Sequence, residues 1–261
     1  MSVGAVESQN YFVQLFATLR QSAIQLVRAP SHSQRAEAAR RLARHALLLT
    51  AILGVCVIAL MIFLDAREIA LMPMRGTPGL GPVRILTDFG RDAYVLLMLA
   101  TALIVIAFAS PLMQGTARAR LLRFGTQMQY LFFAVLVPIL FAEIVKWAAG
   151  RGRPFVGGKA NPFNFAPFSG TEAYFSFPSA HAVTGFALAF AVGAVWPRAR
   201  PWMLVYALSI AASRLVLLAH HPSDVVAGAL IGVLGAMAVR YWFAARQLGF
   251  AIHGDGKIVP L

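Results

Sequence analysis

The chain has 261 residues, of which 59% are hydrophobic and 13% charged, and its formal net charge is +13. A soluble domain carries about twice that charged fraction, so the composition points into a membrane. Nucleic-acid binding needs an exposed basic face, and here Lys and Arg mostly flank apolar runs, which sets that class aside.

Residues 1–45 are polar to amphipathic. In YFVQLFATLRQSAIQLV (11–27), Phe12, Leu15, Phe16, Leu19, Ala23 and Leu26 recur at helical spacing. That pattern suits a helix lying on anionic lipid or one packed on protein. A basic run, RAEAARRLAR (35–44), precedes the first long apolar stretch. The stretch starts too far along for the apolar core of a secretory signal and is expected to stay as an anchor. The single cysteine, Cys56, lies within it and reads as a small buried hydrophobe.

A crossing helix needs about 20 mostly apolar residues. Six segments qualify as candidates, near 46–64, 93–112, 129–149, 180–197, 201–219 and 223–245. The expected fold is an all-α bundle of six transmembrane helices over 46–245. Residues 1–45 are then an N-terminal cytoplasmic segment and 246–261 a cytoplasmic tail. With the N-terminus inside, the inner segments hold 14 Lys and Arg and the outer loops, 65–92 and 150–179, hold 7. The positive-inside rule therefore places both termini in the cytoplasm. The loop around 72–94 reads as Gly and Pro turns and then an amphipathic segment, either a cap over a site or a plain connector. GALIG (228–232) is a small-xxx-small pair that suits close helix packing, within the chain or between copies.

Ionisable groups inside spans are costly and mark function or pairing. Three clusters stand out. In EIVKWAAGRGRP (143–154), Lys146 follows Glu143 by three residues and can pair with it. Gly150, Gly152 and Pro154 end the helix, so Arg153 sits where the chain leaves the membrane, and this cluster also reads as side chains snorkelling at a helix end. In FPSAH (177–181), Pro178 and Ser179 read as a helix start, with Ser179 as a cap and His181 as an interfacial residue, or with both in a site. In SRLVLLAHHPSD (213–224), Arg214 ends the fifth span, His220 follows, and Asp224 falls in the first turn of the sixth, where Arg214 and Asp224 could also simply pair.

The alternating topology puts all three clusters on one membrane face. Together they hold Lys146, Arg153, Arg214, Ser179, two His and Asp224. Arg meets a tetrahedral oxyanion with a planar fork and Lys with a point charge. Two His and a carboxylate can share nucleophile, acid and orienting roles. Carboxylates are too few for Mg²⁺, and the three cations oppose Zn²⁺. The residues read as a metal-free phosphate site without a cofactor.

At this point the chain resembles the type 2 phosphatidic acid phosphatase (PAP2) superfamily, whose pattern is K-x6-R-P, then P-S-G-H, then S-R-x5-H-x3-D. KWAAGRGRP (146–154) fits the first element, PSAH (178–181) the second with Ala180 in place of Gly, and SRLVLLAHHPSD (213–224) the third. The resemblance implies a metal-independent phosphatase with His220 as nucleophile, forming a phosphohistidine. Asp224 would orient His220, and His181 would protonate the leaving group and then activate water. Lys146, Arg153, Ser179 and Arg214 would hold the phosphoryl oxygens, with the backbone N–H of Ala180 as a further donor. His221 lies off the spacing and reads as a neighbour. If the Ala180 position needed positive φ or close ligand approach, its methyl would cost about 1 kcal/mol or more.

Family members of this size are often bacterial inner-membrane enzymes with a periplasmic site. They act on undecaprenyl pyrophosphate, phosphatidylglycerol phosphate, phosphatidic acid or lipid A phosphates, and the motifs do not choose among these. A lipid phosphotransferase would use the same residues with a different acceptor. A non-catalytic lipid-binding membrane protein would not need His181, His220 and Asp224 together.

Overall fold

The computed structural model describes residues 10–73, 77–157 and 160–261. The start of the N-terminal segment (1–9), residues 74–76 and residues 158–159, the last two stretches within loops expected to lie outside the membrane, fall outside the described residues. The elements run α1 (Tyr11–Val27), α2 (Arg35–Phe63), α3 (Asp65–Leu71), α4 (Gly81–Asp88), α5 (Asp92–Ala109), α6 (Gly115–Ala149), α7 (Ala180–Val195), α8 (Arg200–Val216), α9 (Pro222–Ala245), β1 (Phe250–Ile252) and β2 (Ile258–Pro260).

Among the described residues, four helical segments are long and apolar enough to cross a membrane: α2, α5 with its following turn, α6 and α9. The fourth and fifth expected spans fall on α7 and α8, of 16 and 17 residues. α7 is apolar apart from His181 and Thr184, whereas α8 has Arg200 at its first residue and Arg214 in its last turn. Leu47, Ile52, Val55, Ile58 and Ile62 of α2 stand exposed, a surface that hydrocarbon accepts and water penalises.

The core lies between α5, α6, α7 and α9 and includes Tyr130, Ala134, Val135, Val183, Ala187 and Phe243. Two small-residue contacts fix the approach of α9. A Cβ on Gly228 would stand 2.6 Å from the Ser179 carbonyl oxygen, and one on Gly232 would stand 2.4 Å from that of Val183. The GALIG pair thus seats α9 on α7 within one chain. Gly235 does the same toward α6, where Pro138 interrupts the helix ladder.

One difference from expectation concerns the C-terminal end. The C-terminal segment is not a plain tail: β1 and β2 pair antiparallel, and Phe250 packs edge-on against Tyr130 at 4.8 Å between ring centroids. In α1, Gln14 and Thr18 turn inward to Arg118, while Phe12, Phe16 and Leu19 stand outward and exposed.

Candidate active site

The end of α6, the starts of α7 and α9, and the end of α8 meet at one end of the bundle. α6 stops because Gly150 takes the left-handed conformation, φ 54°, and its N–H bonds the Lys146 carbonyl. A Cβ there would lie 2.0 Å from the Ala166 carbonyl oxygen, so the chain closes back on itself only through glycine. The returning loop is stitched to this turn by Gly152 N–H to Asn164 O, Arg153 N–H to Ala173 O and Ser176 N–H to Arg151 O. Ser179 N–H then bonds the Asp224 carbonyl at 3.0 Å, joining the starts of α7 and α9.

His220 lies between α8 and α9, buried at 4% exposure. Its Nδ1 is 2.8 Å from the Ser176 carbonyl oxygen. A carbonyl only accepts, so Nδ1 carries the proton and Nε2 keeps its lone pair. Burial, then Arg214 and Arg153, hold the ring well below the usual histidine pKa and keep it neutral. Asp224 is fully buried, and its Oδ2 accepts from the Ser176 hydroxyl at 2.6 Å and from the His221 N–H at 2.8 Å. Pro222 opens α9 in the first helical position, where its missing N–H costs nothing.

Arg214 and Arg153 lie within electrostatic reach of His220. His181 lies within electrostatic reach of Arg214, Arg91, Lys146 and Arg153. Arg214 Nη1 donates to the Thr87 hydroxyl of α4 at 2.8 Å. Lys146 is buried and pairs with Glu143 one turn back. Arg153 Nε donates to the Glu172 carbonyl at 3.2 Å. Ser179 precedes α7 but makes no side-chain cap bond; its buried Oγ has no hydrogen-bond partner. A buried hydroxyl without a partner is costly unless a ligand meets it. Ala180 is the first helical residue of α7 and is not among the positive-φ residues, so its methyl meets no backbone strain.

Sequence reasoning missed several residues here. Arg151, in the spacer of the first motif, is fully buried between Asp65 and Asp224. Ser176 holds both His220 and Asp224, and Thr87 holds Arg214. The doubled Arg in GRGRP was a visible signal for Arg151; a backbone carbonyl such as that of Ser176 leaves no signal. Among the described residues no group of three His, Cys, Asp or Glu side chains is arranged to hold a metal ion.

Beside α4, an apolar cleft of about 560 Å³ runs between α5, α7 and α8. Its walls include Ile85, Phe89, Met98, Leu188 and Met203.

A family profile described as "PAP2 superfamily" matches residues 127–248. A lipid A 1-phosphatase of Rhizobium johnstonii is 36% identical over 174 residues, covering 66% of this chain and 71% of the relative. A lipid A 1-phosphatase of Rhizobium etli is 34% identical over 174 residues, covering 66% and 75%. Phosphatidylglycerophosphatase B of Escherichia coli K12 is 40% identical over 83 residues, covering 30% and 32%. No solved structure matches the chain.

Proposed function

From the premise that this chain belongs to the PAP2 superfamily and is a membrane phosphatase acting on lipid phosphate, we propose that it hydrolyses a lipid phosphomonoester through a phosphohistidine on His220. The first substrate to which the reading points is lipid A 1-phosphate, after the two rhizobial relatives.

The observation that carries the mechanism is the bond from His220 Nδ1–H to the Ser176 carbonyl. It fixes the tautomer and leaves Nε2 as a neutral nucleophile. In the proposed reaction, Nε2 attacks phosphorus as the bond to the lipid oxygen breaks. The leaving alkoxide takes a proton from His181. Water then loses a proton to His181 and attacks phosphorus, the P–N bond breaks, and inorganic phosphate leaves. Arg214, Arg153, Lys146, the free Ser179 hydroxyl and the Ala180 N–H at the start of α7 meet the charge on the phosphoryl oxygens. The imidazolium character that develops on His220 is offset by Asp224, whose Oδ2 lies 3.9 Å from Nδ1.

We read α7 and α8 as the fourth and fifth of six spans, with both termini in the cytoplasm and the site at the periplasmic face of an inner membrane. The cleft beside α4 is the place for an acyl chain, because α4 also carries the Thr87 that binds Arg214. No metal takes part in these steps.

The test is phosphate release from lipid A 1-phosphate and from phosphatidylglycerol phosphate by purified protein in detergent with EDTA, with His220→Ala alongside. Release that survives EDTA and is lost in the variant is expected. Equal release by the variant, or loss with EDTA, overturns the mechanism.

A further inference from the structure

Arg151 is the largest fully buried side chain among the described residues. Its Nη1 donates to Asp224 Oδ1 and to the Ser223 hydroxyl, each at 2.6 Å. Its Nη2 donates to Asp65 Oδ2 at 2.8 Å and to the Pro162 carbonyl at 2.7 Å, and its Nε donates to the same carbonyl at 3.0 Å. Asp65, also fully buried, opens α3 directly after the first apolar helix. Its two oxygens accept from the Ser223 N–H at 3.1 Å and the Ser223 hydroxyl at 2.5 Å. Asp65, Arg151 and Asp224 thus form one buried ion triad with Ser223 as a brace.

Burying three charges costs free energy that their attraction does not always return, and a hydrophobic replacement is often as stable. The triad instead has a geometric result. Arg151 takes Oδ1 of the Asp224 carboxylate, so its other oxygen, Oδ2, is left to face Ser176 and His220. Asp65 fixes Arg151 in turn, because the guanidinium fork is held at both ends.

We infer that Asp65 is a positioning residue for the reaction, acting through Arg151 on Asp224, so that the segment after the first span joins Thr87 and residues of 146–224 in building the site. The inference rests on the reading of His220 and Asp224 given above. Asp65 lies outside the residues matched by the family profile.

The experiment compares kcat and KM for Asp65→Asn, in the wild-type and in the Asp224→Asn background, with His220→Ala and thermal unfolding measured beside them. Losing an outer residue that orients a reacting group costs about 10- to 100-fold, and that loss is expected in kcat with KM little changed. In the Asp224→Asn background the same substitution is expected to cost less than about 2-fold, because its target is already gone. A purely structural role would lower activity by the same factor in both backgrounds, and that outcome overturns the inference. So does wild-type kcat in Asp65→Asn beside an inactive His220→Ala. An active His220→Ala instead overturns the site reading itself, and the positioning role with it. If Asp65→Asn does not fold, Arg151→Lys is measured in the same two backgrounds: its point charge cannot span both carboxylates, and wild-type kcat in that variant overturns the inference.

Discussion

His220 and Asp224 share no direct hydrogen bond: Nδ1 lies 3.9 Å from Oδ2, and Ser176 stands between them. Its carbonyl accepts the hydrogen bond of the His220 Nδ1–H, and its hydroxyl donates to the carboxylate. Orientation and charge stabilisation are therefore divided. The carbonyl aims the ring, and the carboxylate acts across a short gap in a buried setting where screening is weak.

This division ranks two substitutions. Ser176→Ala keeps the carbonyl and removes only the hydroxyl that steadies Asp224, and a lost neutral-to-charged hydrogen bond is worth about 1.5–3 kcal/mol. It is expected to lower kcat about 10-fold. In the proposed mechanism Asp224→Asn removes the charge that balances the forming imidazolium, and it leaves Arg151 under-neutralised; it is expected to lower kcat more than 100-fold. Steady-state kinetics on one lipid phosphate compares them, and a Ser176→Ala loss as large as that of Asp224→Asn contradicts the ranking.

The neutral state of His220 can be read directly. Burial, Arg214 and Arg153 all depress its pKa, so the folded protein holds a neutral ring at pH 6, where an unfolded histidine is largely protonated. Nitrogen-15 spectra of labelled histidine, with His220→Ala assigning the signal, are expected to show unchanged neutral shifts from pH 8 down to pH 6. The sign follows for stability: a depressed histidine pKa destabilises the fold progressively as pH falls below the unfolded value of about 6.5.

Lys146, Arg153, Ser179, His181, Arg214, His220 and Asp224 were legible because each sits at fixed spacing beside a helix end, and spacing is a local property. Arg151 stands two residues from Arg153, yet its local sequence does not mark its role, because its meaning comes from Asp65, 86 positions earlier in the chain. Ser176 contributes a carbonyl that every residue has. The expected spans coincide with helices because apolar runs and Pro or Gly stops are encoded locally, as at Gly150 and Pro222. The C-terminal hairpin was not seen because three-residue strands carry no periodicity; Phe250 is held by Tyr130 of α6, a contact across the fold.

The α7–α9 contact makes a prediction about packing. Gly228 and Gly232 leave no room for a Cβ against the carbonyls of Ser179 and Val183, and backbone does not yield as a side-chain tip does. Gly232→Ala is expected to destabilise by about 1–3 kcal/mol, the usual cost of overpacking. Gly228→Ala presses on Ser179 itself and is expected to lower kcat as well. Thermal unfolding and kinetics on both variants check this; a Gly228→Ala enzyme with wild-type stability would show that α7 and α9 are not packed this closely.

Glu68 supplies the last prediction. It is 5% exposed, and neither carboxyl oxygen has a hydrogen-bond partner. Burial, then the charges of Asp65 and Asp224, raise its pKa to about 7. A raised acid binds more protons when folded than when unfolded between the two pKa values. Its contribution to stability is therefore present below about pH 4.5 and is lost as pH rises through 7. Glu68→Gln keeps the size and removes the titration. At pH 8 the variant is expected to be more stable than wild type by about 1–2 kcal/mol, allowing for solvent screening; at pH 5 the two are expected to differ little. Thermal unfolding at both pH values decides it: an equal gain at pH 5 and pH 8 would mean that shape, and not the carboxylate charge, sets the cost of Glu68.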